Sequence, residues 1–418
     1  MRPRGPVLGL GLAVGVIAVA TLTPNVHAGP AVARWCLFCG ERGLSDAVLN
    51  VGLFAPFGAA LAGLGRGAAR AAAAGAGLSA VIELLQVDIV PGRDASVGDV
   101  VWNTAGALAG ALAVRAAARL AAARVPVQRA LLVGWVAVSA GAWAGTGLLF
   151  RPAPPRSVYF GQWTPDLAHL ERYGGRVLAA RLGPLELPPA RLPDTVRALL
   201  VAGAPLRARV VAGAPPPRLA PVVSVYDDRQ REVWLLGAER TDLVLRYRMR
   251  AAAVGLDQPD VRLRGAFRGV APGDTVAFEA ALEGRGACLR AGALRGCTPG
   301  FSAGRGWALL FYPERAAGAA RAVDAAWMAG WAAPLGLLAP SVAEGLAAGG
   351  AAGAALVALS HVTGLTGPGV AELLGLMAGL GMGLVARFGA GLAARLRVRR
   401  LHDRVRRAAA SAPGRQRS

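Results

Sequence analysis

The sequence predicts a polytopic α-helical membrane protein of about eight transmembrane helices, with an inserted extracytoplasmic all-β sandwich domain. Hydrophobic residues make up 54% of its 418 residues and the mean hydropathy is +0.44, as in chains that lie largely in a bilayer. Long apolar runs separated by arginines fill both ends of the chain. Between 151 and 321 the apolar runs shorten and begin to alternate with polar residues, which is typical of strands.

Each long apolar run approaches the roughly 20 residues that a helix needs to cross the hydrocarbon. Arg2 and Arg4 precede the first run, but no cleavage site of small residues follows it, so we interpret it as a helix rather than a signal peptide. Pro91 and Gly92 end the third run, because this pair favours a turn. The predicted helices span 7–22, 46–65, 68–90, 98–114, 130–150, 325–342, 346–362 and 370–388.

The distribution of basic residues predicts the topology. A formal net charge of +21 would suggest a nucleic-acid partner in a soluble protein, but the sequence has no lysine and its arginines cluster where helices end. Placing the clusters at 66–70, 115–129 and 387–400 in the cytoplasm puts both termini inside and the β-domain outside. Nucleic acid is therefore not an expected partner.

These patterns divide the chain into four predicted segments. The first, 1–150, is a bundle of about five helices, and 151–321 is the β-sandwich. A second set of about three helices follows at 322–390, and a basic cytoplasmic tail at 391–418. Within the β-sandwich, alternating residues predict strands at 222–226, 233–236, 243–250, 276–282 and 307–312.

A set of acids, amides and one arginine interrupts the apolar runs of the first bundle. Spacings of three or four residues place six of them in pairs on shared helix faces, namely Asp46 with Asn50, Glu83 with Gln86 and Asp99 with Asn103. In the predicted topology, Asp46, Gln86, Arg93, Asp94 and Asp99 lie toward the outer end of the bundle. Two interpretations fit: a polar cleft that binds or acts on a ligand, or hydrogen bonds that hold the helices together. The set comprises Asp46, Asn50, Glu83, Gln86, Arg93, Asp94, Asp99 and Asn103. In the first interpretation, Arg93 pairs with a carboxylate or grips an anionic headgroup.

The order of these residues, together with Pro56-x-Gly58 and Gly106-x-x-x-Gly110, resembles the VanZ-like family of polytopic membrane proteins over about residues 7–150. The resemblance implies a bacterial cytoplasmic membrane location and cell-envelope biology, since founding members are associated with low-level teicoplanin resistance. It implies no defined reaction. The β-region resembles concanavalin A-like or laminin-G-like jelly rolls.

The four cysteines form two close pairs. Cys36 and Cys39 lie in a WCLFCG run, where the alternatives are a disulfide, a redox-active pair, and a metal-bound or free pair. We favour a disulfide, because no βαβ pattern surrounds the run. Cys288 and Cys297 flank a predicted hairpin tip, which indicates a cross-strand disulfide in an oxidising compartment.

Two further groups in the β-region have both structural and ligand-binding interpretations. Its aspartates suit calcium, but their spacing is not that of a known loop and turn formation is the better explanation. Its arginines either line a face for anionic glycans or lipid headgroups, or form a solvated surface. The aspartates are Asp227, Asp228, Asp257, Asp260 and Asp274, and the arginines are Arg246, Arg248, Arg250, Arg262, Arg264 and Arg268.

The leading functional hypothesis is an envelope protein that binds or acts on a lipid-linked or cell-wall-related molecule at the outer membrane face. A non-enzymatic, membrane-anchored glycan-binding scaffold is the alternative, and a thiol–disulfide partner acting through Cys36 and Cys39 is a third. No cofactor is expected, because the sequence has no P-loop, GxSxG or HExxH motif, and the scattered histidines predict no metal site. The expected partners are membrane lipids and a lipid-linked or glycan ligand; whether the protein is an enzyme does not follow from these residues.

Overall fold

The computed structural model describes residues 4–24, 35–93, 95–121, 123–167, 170–311 and 319–389. The helices in these ranges are α1 (Arg4–Leu22), α2 (Gly43–Gly63), α3 (Ala68–Asp88), α4 (Val97–Ala121), α5 (Val125–Leu149), α6 (Thr195–Val201), α7 (Arg250–Ala253), α8 (Ala319–Leu338), α9 (Val342–Val362) and α10 (Val370–Leu384). The strands are β1 (Tyr159–Trp163), β2 (Arg176–Leu182), β3 (Leu185–Glu186), β4 (Leu206–Val211), β5 (Ala220–Asp227), β6 (Glu232–Glu239), β7 (Asp242–Tyr247), β8 (Val261–Leu263), β9 (Thr275–Glu283), β10 (Gly286–Ala291) and β11 (Leu294–Thr298).

Seven of the described helices are long and apolar enough to cross a membrane: α1 to α5, α9, and α10 with its π-helical extension. Helix α8 is not among them, and its first turns carry Arg321 and Asp324. The chain is therefore a membrane protein by the length and composition of its helices. The predicted number of spans, the inner membrane and the side on which each segment lies stay predictions.

Helices α1 to α4 share a small apolar core built around Ile17, Phe54 and Ile82. Glycines let α2 and α4 approach closely. A Cβ added at Gly110 would lie 1.9 Å from the carbonyl oxygen of Ala55, and one at Gly58 would lie 1.8 Å from that of Ala107. The Gly106-x-x-x-Gly110 spacing thus marks a real contact surface, as small residues do between membrane helices.

Helices α8 and α10 make a second close contact of the same kind. Gly375, Gly379 and Gly383, four residues apart on α10, face the backbone of α8, and a Cβ at Gly375 would lie 2.1 Å from the carbonyl oxygen of Ala325. Small residues therefore determine the packing of this pair as well.

The β-region consists of two antiparallel sheets, which confirms a β-sandwich in outline. One sheet has five strands in the order β1-β5-β6-β7-β8, and the other has six in the order β11-β10-β9-β4-β2-β3. Strands β5, β6 and β9 contain three of the predicted strands, and β7 covers most of a fourth. The β10–β11 hairpin pairs Cys288 with Cys297 and brings them into a disulfide, as predicted.

Two strand predictions need correction. Of the strand predicted at 307–312, residues 307–309 instead belong to a 3-10 helix, Ala303–Leu309, in which Trp307 is buried, and Tyr312 lies outside the described residues. A short apolar run is equally compatible with a buried helical turn, and Gly304 and Gly306 favour a tight turn of the backbone. The strand predicted at 243–250 ends at Tyr247, where the chain turns into α7 through the extended residue Met249.

Grouped by contacts, the chain forms two compact units. The first comprises Met1–Ala117, Trp143–Glu314 and Leu359–Gly367, and the second comprises Ala118–Ala142, Arg315–Ala358 and Pro368–Ser418. The first unit thus holds α1 to α4 together with the β-sandwich. The predicted segment boundaries at 150, 321 and 390 stay a prediction, and the predicted tail lies outside the described residues.

Candidate functional site

The candidate site is built around the N-terminus of α4. The Ser96 hydroxyl accepts a hydrogen bond from the Asp99 backbone N–H at 3.1 Å and so caps the helix. The Ser96 backbone N–H donates to Glu83 Oε2 on α3 at 2.7 Å. Two carboxylates therefore lie at the positive end of the α4 dipole, where negative charge is favourable.

Helix α2 contributes the third side of this arrangement. Asn50 Nδ2 donates to Asp99 Oδ1 at 2.6 Å, and Asp46, an exposed residue, lies one turn earlier on the same helix. The charge of Asp46 acts on Asp99, and that of Asp99 acts on Glu83. We call Asp46, Glu83 and Asp99 the acidic cluster. In the part of the chain that the structure describes, none of the three carboxylates forms an ion pair.

Three other predicted site residues hold helices together. Asn103 Nδ2 donates to the Ser79 hydroxyl at 2.9 Å, joining α4 to α3 in a buried setting. Gln86 Nε2 donates to the Thr21 carbonyl oxygen at 2.9 Å, joining α3 to α1. Arg93 donates to the carbonyl oxygens of Ala20 and Thr23 at 2.8 and 3.1 Å.

The position of Arg93 matters for the chemistry of the site. Its guanidinium satisfies carbonyls at the C-terminal end of α1, where a cation is favoured, and it bonds to no described carboxylate. Asp94 lies outside the described residues. The structure thus separates the predicted set into an acidic cluster held by Asn50 and a group of helix-joining side chains.

The WCLFCG loop covers the start of α4. Cys36 and Cys39 lie at disulfide distance, and Cys39 Sγ is 3.9 Å from the Ser96 hydroxyl oxygen. Trp102 Nε1 donates to the Leu37 carbonyl oxygen at 2.8 Å. A Cβ at Gly98 would lie 2.8 Å from the Cys36 carbonyl oxygen, so the glycine permits this close approach. The disulfide and the acidic cluster are therefore adjacent parts of one site.

The first turn of α2 also contacts the β-sandwich. Arg42 forms an ion pair of 2.9 Å with Asp257, and the buried Ser45 hydroxyl donates to the Leu309 carbonyl oxygen at 2.7 Å. The backbone N–H groups of Leu44 and Ser45 donate to the Gly255 carbonyl oxygen. The acidic cluster therefore lies at the end of the bundle that meets the β-sandwich.

Several of these residues were absent from the sequence prediction. Ser96 had a signal, because Ser96-Val97-Gly98-Asp99 matches the capping pattern that precedes an apolar run. Ser79 lies four residues before Glu83, and this spacing places the two side chains on the same face of α3. The helical period was therefore a signal for Ser79. No sequence signal pairs Arg42 with Asp257, because they are separated by 215 residues.

The predicted arginine face of the β-sandwich needs correction. Arg246 is paired with Asp260 at 2.7 Å and lies 3.7 Å from Glu232, and Arg262 is paired with Glu239 at 2.5 Å. Arg248 is only 8% exposed. Since β5 and β6 are buried on both faces, this sheet has no solvated arginine surface along its centre, and its charged side chains need partners. Arg250, Arg264 and Arg268 are exposed.

Two carboxyl groups of the β-sandwich have pKa values shifted in opposite directions. Burial raises the pKa of Glu232 to about 7, although the nearby Arg246 acts in the opposite direction. Burial also acts to raise the pKa of Asp227, but hydrogen bonds from Arg231 and the backbone of Arg229 outweigh it and lower that pKa. Asp257, Asp260 and Asp274 likewise accept hydrogen bonds from the protein, as turn and network residues do.

The fold and site define a membrane protein with a helical polar cluster beside a β-sandwich. A family model described as VanZ/LLP1 matches residues 16–118, so this part of the chain is similar to that family. The match contains the whole acidic cluster. No curated protein and no solved structure matches the chain, and no concanavalin A-like family is identified in the β-sandwich.

Proposed function

We propose that the VanZ-like domain binds the polar part of a lipid-linked or cell-wall-related molecule at its acidic cluster. The main support for this proposal is that α2, α3 and α4 each supply one carboxylate, and that no described cation forms an ion pair with any of them. Unpaired carboxylates are costly at membrane depth and mark functional positions by default.

The chemistry of the cluster selects the ligand group. An ionised carboxylate only accepts hydrogen bonds, so the fitting partner is a donor such as an ammonium or a sugar hydroxyl. Arg93 is engaged with α1, which argues against its gripping a phosphate or carboxylate of the ligand. The proposed ligand therefore presents amine or hydroxyl groups to the cluster.

The resemblance to the VanZ-like family supplies a cellular readout for this proposal, because founding members are associated with low-level teicoplanin resistance. The experiment measures teicoplanin susceptibility of a bacterial host producing the chain or its Asp46→Asn, Glu83→Gln or Asp99→Asn variants at equal abundance. We expect the chain to lower susceptibility and the three variants to lose this effect. Asp88→Asn, which neutralises an exposed acid at the end of α3, is the matched control. Unchanged susceptibility across all three variants would overturn the proposal.

A second candidate function is a non-enzymatic, membrane-anchored glycan-binding scaffold, in which polar side chains only hold the bundle together. The bonds of Asn103 to Ser79 and of Gln86 to Thr21 favour it, since both are internal to the bundle. In this case the three acid-to-amide substitutions lower abundance and thermal stability without a separate loss of ligand binding. The thiol–disulfide alternative predicts mixed disulfides with other proteins when Cys39→Ser is produced.

A further inference from the structure

We propose that the six-stranded sheet carries a second ligand site, a groove that binds an anionic polysaccharide. The groove has a volume of about 630 Å³ and lies over β2, β3, β4, β9 and β10, with Trp163 at one edge. Four arginines and two glutamates line it, namely Arg181, Arg207, Arg209, Arg290, Glu186 and Glu279. This site is separate from the acidic cluster, and neither proposal depends on the other.

The strand register sets these charges in a row. Arg181 is directly opposite Glu186 on one side and Arg207 on the other. Arg207 is in turn opposite Glu279, which is opposite Arg290. Arg290 faces Arg295 on the last strand of the sheet. Directly opposed residues share a sheet face, so the row crosses all six strands on one surface.

The row holds more positive than negative charge, since it contains four arginines and two glutamates. Two of its neighbouring pairs, Arg181 with Arg207 and Arg290 with Arg295, place like charges directly opposite each other, which is destabilising. The inward positions alternate as a core should, with Leu206, Ala208 and Val210 buried between exposed arginines on β4. An anion placed between the paired arginines would relieve the repulsion.

Two arginines that line the groove remain available to an anionic ligand: Arg290 in the row, and Arg209, two residues after Arg207 on the same face of β4. Arg207 is bonded to Glu279 at 2.7 Å and Arg181 lies 3.5 Å from Glu186. Within the described ranges, neither Arg209 nor Arg290 forms an ion pair. Arginine presents a planar fork of donors that matches a carboxylate or phosphate group. The groove therefore carries a net positive charge from its unpaired guanidinium groups.

The length of the row identifies the kind of anion. The groove lies over five strands, which at about 4.8 Å between neighbours extend over about 19 Å, far more than a single small anion occupies. An extended polymer with repeated carboxylate or phosphate groups fits this row. Trp163 and Leu178 give the groove apolar edges against which sugar rings can pack. Single-stranded nucleic acid would require a series of stacking aromatics, but of the two aromatic residues that line this groove, Trp163 and Phe278, Phe278 is only 2% exposed.

The test measures binding of the full chain in nanodiscs to two anionic polysaccharides, polygalacturonate for carboxylates and phosphomannan for phosphates. Neutral dextran and a thymidine oligonucleotide complete the set. We expect binding to at least one anionic glycan polymer, none to dextran, and weaker binding as salt rises. The preferred polymer tells which anionic group the site takes. No binding to either polymer, or tighter binding of the oligonucleotide than of both, would overturn the proposal.

Two matched double variants locate the site. Arg209→Gln with Arg290→Gln removes the unpaired groove arginines, and we expect affinity to fall about tenfold or more. Arg264→Gln with Arg268→Gln removes the same charge from exposed positions that do not line the groove, and we expect no loss. Equal losses in both variants would contradict a defined groove. Arg209→Gln alone serves if the double variant does not fold, and the acidic-cluster variants should bind these polymers as the wild type does.

Discussion

Asn50 donates a hydrogen bond to Asp99 at 2.6 Å and so joins α2 to α4 through an amide and a carboxylate. Asp99 accepts no other side-chain hydrogen bond from the described residues, although its own backbone N–H is held by Ser96. The amide therefore fixes the orientation of the carboxylate without neutralising its charge. The same hydrogen bond also joins two helices, so one amide both orients the acid and holds α2 against α4.

The helix-joining residues should behave as structural elements. Asn103→Ala leaves the Ser79 hydroxyl without its buried partner, and we expect the free energy of unfolding to fall by about 1–3 kcal/mol. Thermal unfolding in detergent measures the change. Asp46→Asn, at an exposed position, should leave the unfolding temperature unaltered, and a larger loss there than at Asn103 would contradict the division of the polar set.

The close contact of α2 and α4 should depend on its glycines. Gly110→Ala places a methyl group 1.9 Å from the Ala55 carbonyl oxygen, so the helices must move apart. We expect a loss of stability of about 1–3 kcal/mol, seen as a lower unfolding temperature. Gly52→Ala on α2 is the control, because a Cβ there meets nothing within 4 Å. Equal effects at the two positions would show that the contact is absent.

The two disulfides should protect different regions of the chain from amide hydrogen exchange. In the Cys36→Ser, Cys39→Ser variant, the loop loses its closure over Ser96 and Trp102, so we expect faster amide hydrogen exchange in the first turns of α4. The Cys288→Ser, Cys297→Ser variant should instead speed exchange in β10 and β11. Unchanged exchange at the start of α4 in the first variant would mean that the loop does not support the site.

The β-sandwich should lose stability as pH rises through the range in which Glu232 titrates. Its pKa is about 7 in the folded chain against an ordinary value of 4.5, so the folded state binds more protons between these values. Stability from this group is then greatest below pH 4.5 and falls as pH rises toward 7. As pH rises across this interval, the unfolding temperature of the Glu232→Gln variant should increase relative to that of the wild type. A difference that stays constant with pH would contradict the raised pKa.

The sequence was informative wherever a pattern is local. Helix positions followed from run length, and the Cys288–Cys297 hairpin from two cysteines around a turn. It was misleading at 307–312, because a short apolar run has no distinctive period. It also could not assign Arg246 to a buried network, since its partner Asp260 lies on a separate segment and alternation alone placed the arginine on a solvated face.

The candidate site shows the same limit. Spacing placed Asp46, Asn50, Asp99 and Asn103 on helix faces, but only the tertiary contacts separated Asp99, held by Asn50, from Asn103, held by Ser79. The arginine row of the six-stranded sheet depends on the register of six strands, five of which were not predicted individually from the sequence. Register depends on which strands pair and at which residues, and a single sequence does not reveal this pairing.

The central claim is that the acidic cluster accepts hydrogen bonds from a ligand at the membrane surface. Native mass spectrometry of the chain released from nanodiscs tests it, with phosphatidylethanolamine as a lipid that carries an ammonium donor and phosphatidylcholine as one that carries none. We predict preferential retention of phosphatidylethanolamine by the wild type and by Asp88→Asn. The Asp46→Asn, Glu83→Gln, Asp99→Asn triple variant should lose the preference. Equal retention of the two lipids by the wild type, or an unchanged preference in the triple variant, would contradict the claim.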